Sequence, residues 1–335
     1  MIRHRVDPEH PSPQVIAAAA EVIRRGGLVA FPTETVYGLG ADALNEAAVL
    51  GIFAAKGRPS YNPIIAHVAS VDHARTLVTH WPDAAGRLAA TFWPGPLTLV
   101  LPKAPHVPLA LTAGLKTVAV RMPAHPVALA LITAADCPIA APSANRFTEL
   151  SPTTADHVER GLGARVDMIL DSGSTLVGIE STVVDLSGAS PVLLRPGMLS
   201  RAALEQVLGV PLADPMPAAH ATEARRAPGM TERHYATRAR VVLTQASGVA
   251  GVIARENAAG HRVGAIVIGA DTTGAAAVQR LPADAAGYAH GLYAAMHAVD
   301  DGECDVACVE LPPDAPEWAG VNDRLRRAAH PPEHG

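Results

Sequence analysis

The chain is 335 residues long, with 49% hydrophobic residues, only 4% aromatic ones and a formal net charge of −5. That length allows two domains with sizeable cores built from Ala, Val, Leu and Ile, and the acidic balance excludes a global basic field for nucleic acid, so any RNA contact is local. No uncharged apolar stretch reaches the roughly 18 residues of a membrane helix, and Cys137, Cys304 and Cys308 are odd in number and lack metal spacing, which reads as reduced packing thiols in a soluble, unprocessed, cytoplasmic protein.

The Ala/Val/Ile pattern over residues 14–25 predicts a helix, and the run GGLVAF after it, bounded by glycine and Pro32, predicts a short buried strand. Just beyond lies PTETVYGLG, residues 32–40. It sets Thr33, Glu34, Thr35 and Tyr37 at a strand end, where α/β proteins bind ligands. The same hydroxyls also fit a helix cap. In KGRPSYNPIIAH, residues 56–67, Lys56 and Arg58 precede Pro59, so they sit where a helix gives way to an extended turn. Two cations with Asn62 and His67 suit a polyanionic ligand, lysine as a point charge and arginine as a planar fork. They equally suit a solvated helix end complementing the macrodipole.

Arg121 directly follows the apolar strand pattern TVAV, and a cation there needs a partner or a ligand. APSANR offers Ser143 and Asn145, SPTTADHV offers Ser151 and the capping Thr153, GIESTVVD offers Glu180, Ser181 and Thr182, and LLRPGM offers Arg195. So many polar segments, each at the boundary of an apolar run, exceed what capping alone explains. Further strands are expected at NPIIAHV, LTLVLP, PIAAPS, MILD and STVVDL, with helical patterns between several of them. This predicts an α/β protein with a twisted mixed sheet.

After a helix over residues 199–209, the segment PLADPMPAAHATEARRAPG has four prolines and little periodicity, as a linker does. Beyond it, strands at ARVVL, GAIVIG and CDVACVEL and a helix over 285–299 predict a small Rossmann-like α/β domain. The expected division is residues 1–212 for the main domain, 213–238 for a linker or lid and 239–335 for the small domain. There is no Walker loop, no complete G-x-G-x-x-G, no zinc spacing and no G-x-S-x-G elbow.

The motifs FPTETVYGLGADA, KGRPSYNPIIAHV, FWPGPLTLVLP, TVAVRMPAHP, PIAAPSAN, SPT, GIESTVVDL and LRPGMLSRAALEQVLG, in this order, resemble the threonylcarbamoyl-AMP synthase family with its YrdC-like catalytic domain. APGMTERHYAT and the block ending GVNDRLRRAA are similar to its two-domain branch. The resemblance implies a nucleotidyltransferase that makes threonylcarbamoyl adenylate from L-threonine, bicarbonate or CO2, and ATP, releasing pyrophosphate. Partner proteins then use the adenylate to modify tRNA. It implies threonine binding by Thr35, His67, Arg121, Ala141 and Ser181, and ATP binding by Lys56, Arg58, Asn62, Thr117, Ser143, Ser151 and Arg195, with Tyr235 closing over the nucleotide. Lys56, Arg58 and Asn145 are the catalytic candidates, with Asn145 near the carbamate and the reacting phosphorus. Mg2+ is expected on phosphates and water, not in a carboxylate cage.

Two departures from the family pattern stand out. RFTEL replaces a small Ser-Gly pair, adding Phe147 and Glu149, and Thr231, Glu232 and Thr237 replace a Lys-Tyr pair and a proline, while His234 and Tyr235 remain. Three other readings stay open at this stage: a carbamoyl-adenylate-forming transferase built on the same domain, a non-catalytic RNA-binding module, and a protein whose polar clusters only cap its strand ends.

Overall fold

A computed structural model describes residues 1–215 and 235–329 of the chain. Ten strands form the larger sheet: β1 (Ile2–Arg5), β2 (Val29–Phe31), β3 (Gly38–Asp42), β4 (Ile65–His67), β5 (Leu97–Pro102), β6 (Thr117–Arg121), β7 (Ile139–Ala140), β8 (Met168–Asp171), β9 (Thr182–Asp185) and β10 (Val192–Arg195). Their order is β1-β8-β2-β3-β7-β4-β6-β5-β9-β10, with parallel and antiparallel neighbours mixed, as the sequence predicts. A second sheet, β11 (Arg240–Thr244), β12 (Val263–Val267), β13 (Ala277–Arg280) and β14 (Val306–Glu310), is wholly parallel in the order β11-β14-β12-β13. Its central strands are buried along their length and apolar up to the terminal Glu310, as parallel strands covered on both faces must be. No helix among the described residues is long and apolar enough to cross a membrane.

Four strands escape a reading by apolar runs, each for its own reason. β1, IRHR, is a polar edge strand, and β13 has alternate exposure. β3, GLGAD, lacks an apolar run because glycine is needed in it: a side chain at Gly40 would lie 2.7 Å from the Phe31 ring, which lies over this neighbouring strand. β10 is broken by a register shift between Leu193 and Arg195. Such a bulge re-aims side chains at a strand end.

Two apolar clusters cover the larger sheet, one centred on Leu39, Ile52 and Leu99 and one on Ile23, Phe31 and Leu131. A third joins the two sheets: Val36, Leu150 and Ile179 pack with Tyr235, Tyr288, Tyr293, Trp318 and Leu325. The helix Ala285–Asp301 of the C-terminal part lies so close that a Cβ at Gly178, whose φ is +83°, would sit 2.3 Å from the carbonyl oxygen of Ala289. Gly178→Ala therefore meets both left-handed strain and a backbone clash. Denaturant unfolding should show a loss of about 1–3 kcal/mol. An unchanged midpoint would mean that the two parts do not touch there.

Candidate functional site

The polar clusters converge because strand register brings their ends together. His67 and Arg121 are partners in the β4–β6 ladder, and Ile139 of β7 lies on the other side of His67. Past the end of β2, Thr33 folds the chain into a turn: its hydroxyl donates to the Val36 carbonyl at 2.7 Å and lies 2.8 Å from the Thr35 hydroxyl. The helix Glu46–Lys56 is stopped by Gly57 in the left-handed region, so Lys56 and Arg58 turn inward and are buried. They are not a solvated helix end.

The resulting cavity is lined by Thr35, Arg58, His67, Arg121, Ala141, Ser143, Ser181, Arg195 and Tyr235 among the predicted residues, together with Thr33 and Glu180. Three buried arginines thus face one space with hydroxyls from four segments. Each guanidinium is braced. Arg58 donates to the carbonyls of Asn62 and Pro63, at 3.4 and 3.0 Å, and burial lowers its pKa to about 10. Arg121 donates to the Gly95 carbonyl and pairs with Glu34 at 2.7 Å, with both side chains under a tenth exposed. Arg195 donates to the carbonyl and hydroxyl of Ser181, at 3.0 and 3.1 Å.

Other predicted residues stand elsewhere. Lys56 does not line the cavity: its ammonium donates to the Ser143 carbonyl at 2.6 Å, to the Asn145 carbonyl and to Asn145 Oδ1 at 3.2 Å. Three acceptors use its three protons. Burial, then the charge of Arg58, pushes its pKa well below the usual lysine value. Lys56 therefore braces the SAN loop in this structure. Asn145 is turned the same way, its amide donating to the carbonyls of Arg146 and Glu149 at 2.9 and 2.7 Å, acceptors supplied by the RFTEL turn with which a phosphate oxygen would have to compete for the same protons. Thr117 starts β6 and Arg121 ends it, so at about 3.3 Å per residue the two lie at opposite ends of the strand. Thr117 is not among the residues that line this cavity.

Asn62 is buried behind Arg58, and neither atom of its side-chain amide has a hydrogen-bond partner among the described residues. Ser151 is fully buried and donates to Glu180 at 2.5 Å. Tyr235 is the first described residue after 216–234, so His234, Thr231 and Glu232 lie outside the described residues. Its ring packs 5.5 Å from that of Tyr293, and the next residue, Ala236, donates to the Thr148 carbonyl at 2.8 Å. Thr148 and Glu149 of the RFTEL segment thus form a docking strip for the returning chain, and Thr237 turns its hydroxyl to the Ala239 carbonyl.

A strand-end cavity that gathers guanidinium groups and hydroxyls on a mixed sheet defines an α/β domain with a cationic cleft, here with a second α/β unit packed against it. The family model Sua5_yciO_yrdC, described as "Telomere recombination", matches residues 21–197, and the model "Threonylcarbamoyl-AMP synthase, C-terminal domain" matches residues 199–330. The threonylcarbamoyl-AMP synthase of Pyrococcus abyssi is 45% identical over 94% of this chain and 94% of its own length, and that of Bacillus subtilis is 41% identical over 94% and 92%. The crystal structure of P. abyssi Sua5 complexed with L-threonine superposes with a TM-score of 0.93 at 43% identity, covering 98% of each chain. The chain belongs to the threonylcarbamoyl-AMP synthase family, enzymes of the AMP-transferring kind.

Sequence reasoning gave Glu34 and Glu180 no role, although both stand inside the polar clusters it singled out, and it assigned nothing to Tyr293 or Arg324. A carboxylate set between hydroxyls at a strand end was the available signal for the first two.

The buried histidines carry a pH dependence. Burial, then Arg121, holds His67 near a pKa of about 3, and burial, then the stacked ring of His297 at 3.8 Å, does the same for His157. Both are depressed from about 6.5, so the unfolded chain binds more protons below that pH, and stability falls as pH drops from about 6.5 toward 3. Urea unfolding at pH 7.5, 6 and 5 should show this decline, with a shallower slope for His67→Gln. Equal slopes would place a charged imidazole at the cavity.

Proposed function

We propose that this chain makes threonylcarbamoyl adenylate from L-threonine, bicarbonate or CO2, and ATP, releasing pyrophosphate, as the first step of tRNA threonylcarbamoyladenosine formation. The observation that carries this is the convergence of Arg58, Arg121 and Arg195 on one cavity with Thr35, His67, Ser143 and Ser181. Two anionic reactants need such a surface, and catalysis that only positions anions and neutralises developing charge needs little else. The family match over residues 199–330 favours this reaction over carbamoyl-adenylate formation.

In the proposed reaction the threonine amine attacks CO2, forming a C–N bond and losing a proton. A carbamate oxygen then forms a bond to the α-phosphorus as the bond to pyrophosphate breaks. Arg121 takes the threonine carboxylate as a second anion beside Glu34, and Thr35, Ser181 and the Ala141 backbone frame the rest. His67 is neutral, and its buried Nδ1 has no partner among the described residues, which suits a hydrogen bond to threonine. Arg58, Ser143, Arg195 and Asn62 belong to the nucleotide side, with Lys56 and Asn145 acting through the loop they hold together.

Among the described residues no cluster of three His, Cys, Asp or Glu side chains is placed to hold a metal, and the two carboxylates nearest the cavity are already paired with Arg121 and Arg324. This donor set fits Mg2+ carried by phosphate oxygens and water, where it would neutralise charge on the departing pyrophosphate. Residues 213–238 serve as a lid between the main domain (1–212) and the small one (239–335), with Tyr235 at its C-terminal anchor. Transfer proteins acting on tRNA in the cytoplasm are the downstream partners.

Pyrophosphate release with ATP and Mg2+ should require both L-threonine and bicarbonate, and Arg121→Ala should weaken threonine use by about 2–5 kcal/mol, as for one partner of a buried charge pair. Equal release without threonine contradicts the assignment.

A further inference from the structure

We infer that Arg324, on the helix Ala319–Ala328 of the C-terminal part, is a positioning residue for the cavity, and that Tyr293 assists it through Glu180. The inference rests on the proposed reaction. It says where the second α/β unit enters the chemistry.

Arg324 is 1% exposed, although it comes from the opposite side of the inter-sheet core. Its Nε donates to Glu180 Oε2 at 2.9 Å and Nη2 to the Glu180 carbonyl at 3.2 Å, while Nη1 donates to the Pro196 carbonyl at 2.7 Å. One planar fork therefore ties the turn that precedes β9 to the turn that follows β10. Next to the two tied residues stand Ser181 and Arg195, which bond to each other and line the cavity. Lysine has the charge but not the fork. Tyr293, on the helix Ala285–Asp301, donates its hydroxyl to the same Glu180 oxygen at 3.0 Å, and the other carboxylate oxygen takes the Ser151 proton. The guanidinium also lies 5.5 Å from the centre of the Tyr235 ring, so it seats the residue at which the chain returns from the linker.

Burial by itself would push the Glu180 carboxyl up. Arg324 first, then Arg195 and the bonds from Ser151 and Arg324, overcome this and hold it at about 2. The charged and titratable groups facing Glu180 are Arg324 from one helix, Tyr293 from another, Arg195 from β10, and Tyr235 and Lys56, while Asp323 acts on Arg324 itself. Without the Arg324 charge, burial dominates and the carboxyl takes up a proton at higher pH.

The test uses the full chain and threonine-dependent pyrophosphate release, with thermal unfolding to confirm the folded state. Arg324→Lys retains the cation and should still lower kcat/KM for threonine and for ATP at least tenfold, because the tie from Glu180 to Pro196 is lost. Tyr293→Phe, which removes one hydroxyl and keeps the ring, should lower it about threefold or more. In Arg324→Met the acid limb of the kcat/KM profile should move up by at least one pH unit, and in Arg324→Met/Glu180→Gln that shift should vanish, leaving the limb that the threonine amine sets by having to be uncharged to attack CO2. A merely structural Arg324 would change the unfolding temperature and leave the limb in place. Wild-type kcat/KM in both Arg324→Lys and Tyr293→Phe, or an unmoved limb in Arg324→Met, overturns the inference. Wild-type protein that releases no pyrophosphate with threonine and ATP overturns the proposed reaction instead.

Discussion

The buried pair of Arg324 and Glu180 is the constraint on which the cavity depends. Removing two charges from water is costly, and one guanidinium offsets that cost only by satisfying every oxygen around it. Here the oxygens belong to Glu180, Pro196 and Asp323, so the same contacts that pay for burial also fix where β9 begins and β10 ends. The position of Ser181 and Arg195 follows from them. So does the continuity of the core from Val36 and Ile179 to Trp318 and Leu325.

A second buried pair repeats the logic on the other side. Glu34 holds Arg121 and accepts the backbone N–H of Ala124 at 3.0 Å, which ties the turn after β2 to the turn after β6. Each arginine is thus partly neutralised and held in one orientation. A cavity with three unbraced guanidinium groups would be driven apart by like charge; braced by carboxylates and carbonyls, they can await anions without collapsing onto each other. His67 completes this arrangement by staying neutral beside Arg121.

Much of this was legible in the sequence where a cluster was local. The strand-end positions of Thr35, His67, Arg121 and Ser143 follow from apolar runs and the polar residues at their ends, and the mixed sheet with a parallel second sheet follows from the order of runs. The roles of Lys56 and Asn145 were not legible, because whether an ammonium faces a ligand or a loop carbonyl depends on how the chain folds back across sequence separations of 87 and 89. The Arg324–Glu180 pair spans 144 residues, and GVNDRLRRAA presents three similar arginines of which only Arg324 points into the core. Periodicity places it on a helix face but cannot choose its partner. Thr117 begins the strand whose other end lines the cavity, so apolar periodicity alone could not say which end faces it.

The most direct measurement is a double-mutant cycle between Arg324→Lys and Ser181→Ala, read in kcat/KM for threonine. The two side chains do not form a hydrogen bond with each other, and they are linked only through the turns that Arg324 ties together. If the C-terminal unit sets the cavity, the two losses should be non-additive by about 1 kcal/mol or more. Additivity within about 0.3–0.5 kcal/mol, the behaviour of independent sites, would contradict the account and leave Arg324 as a residue that holds the two units together and nothing more.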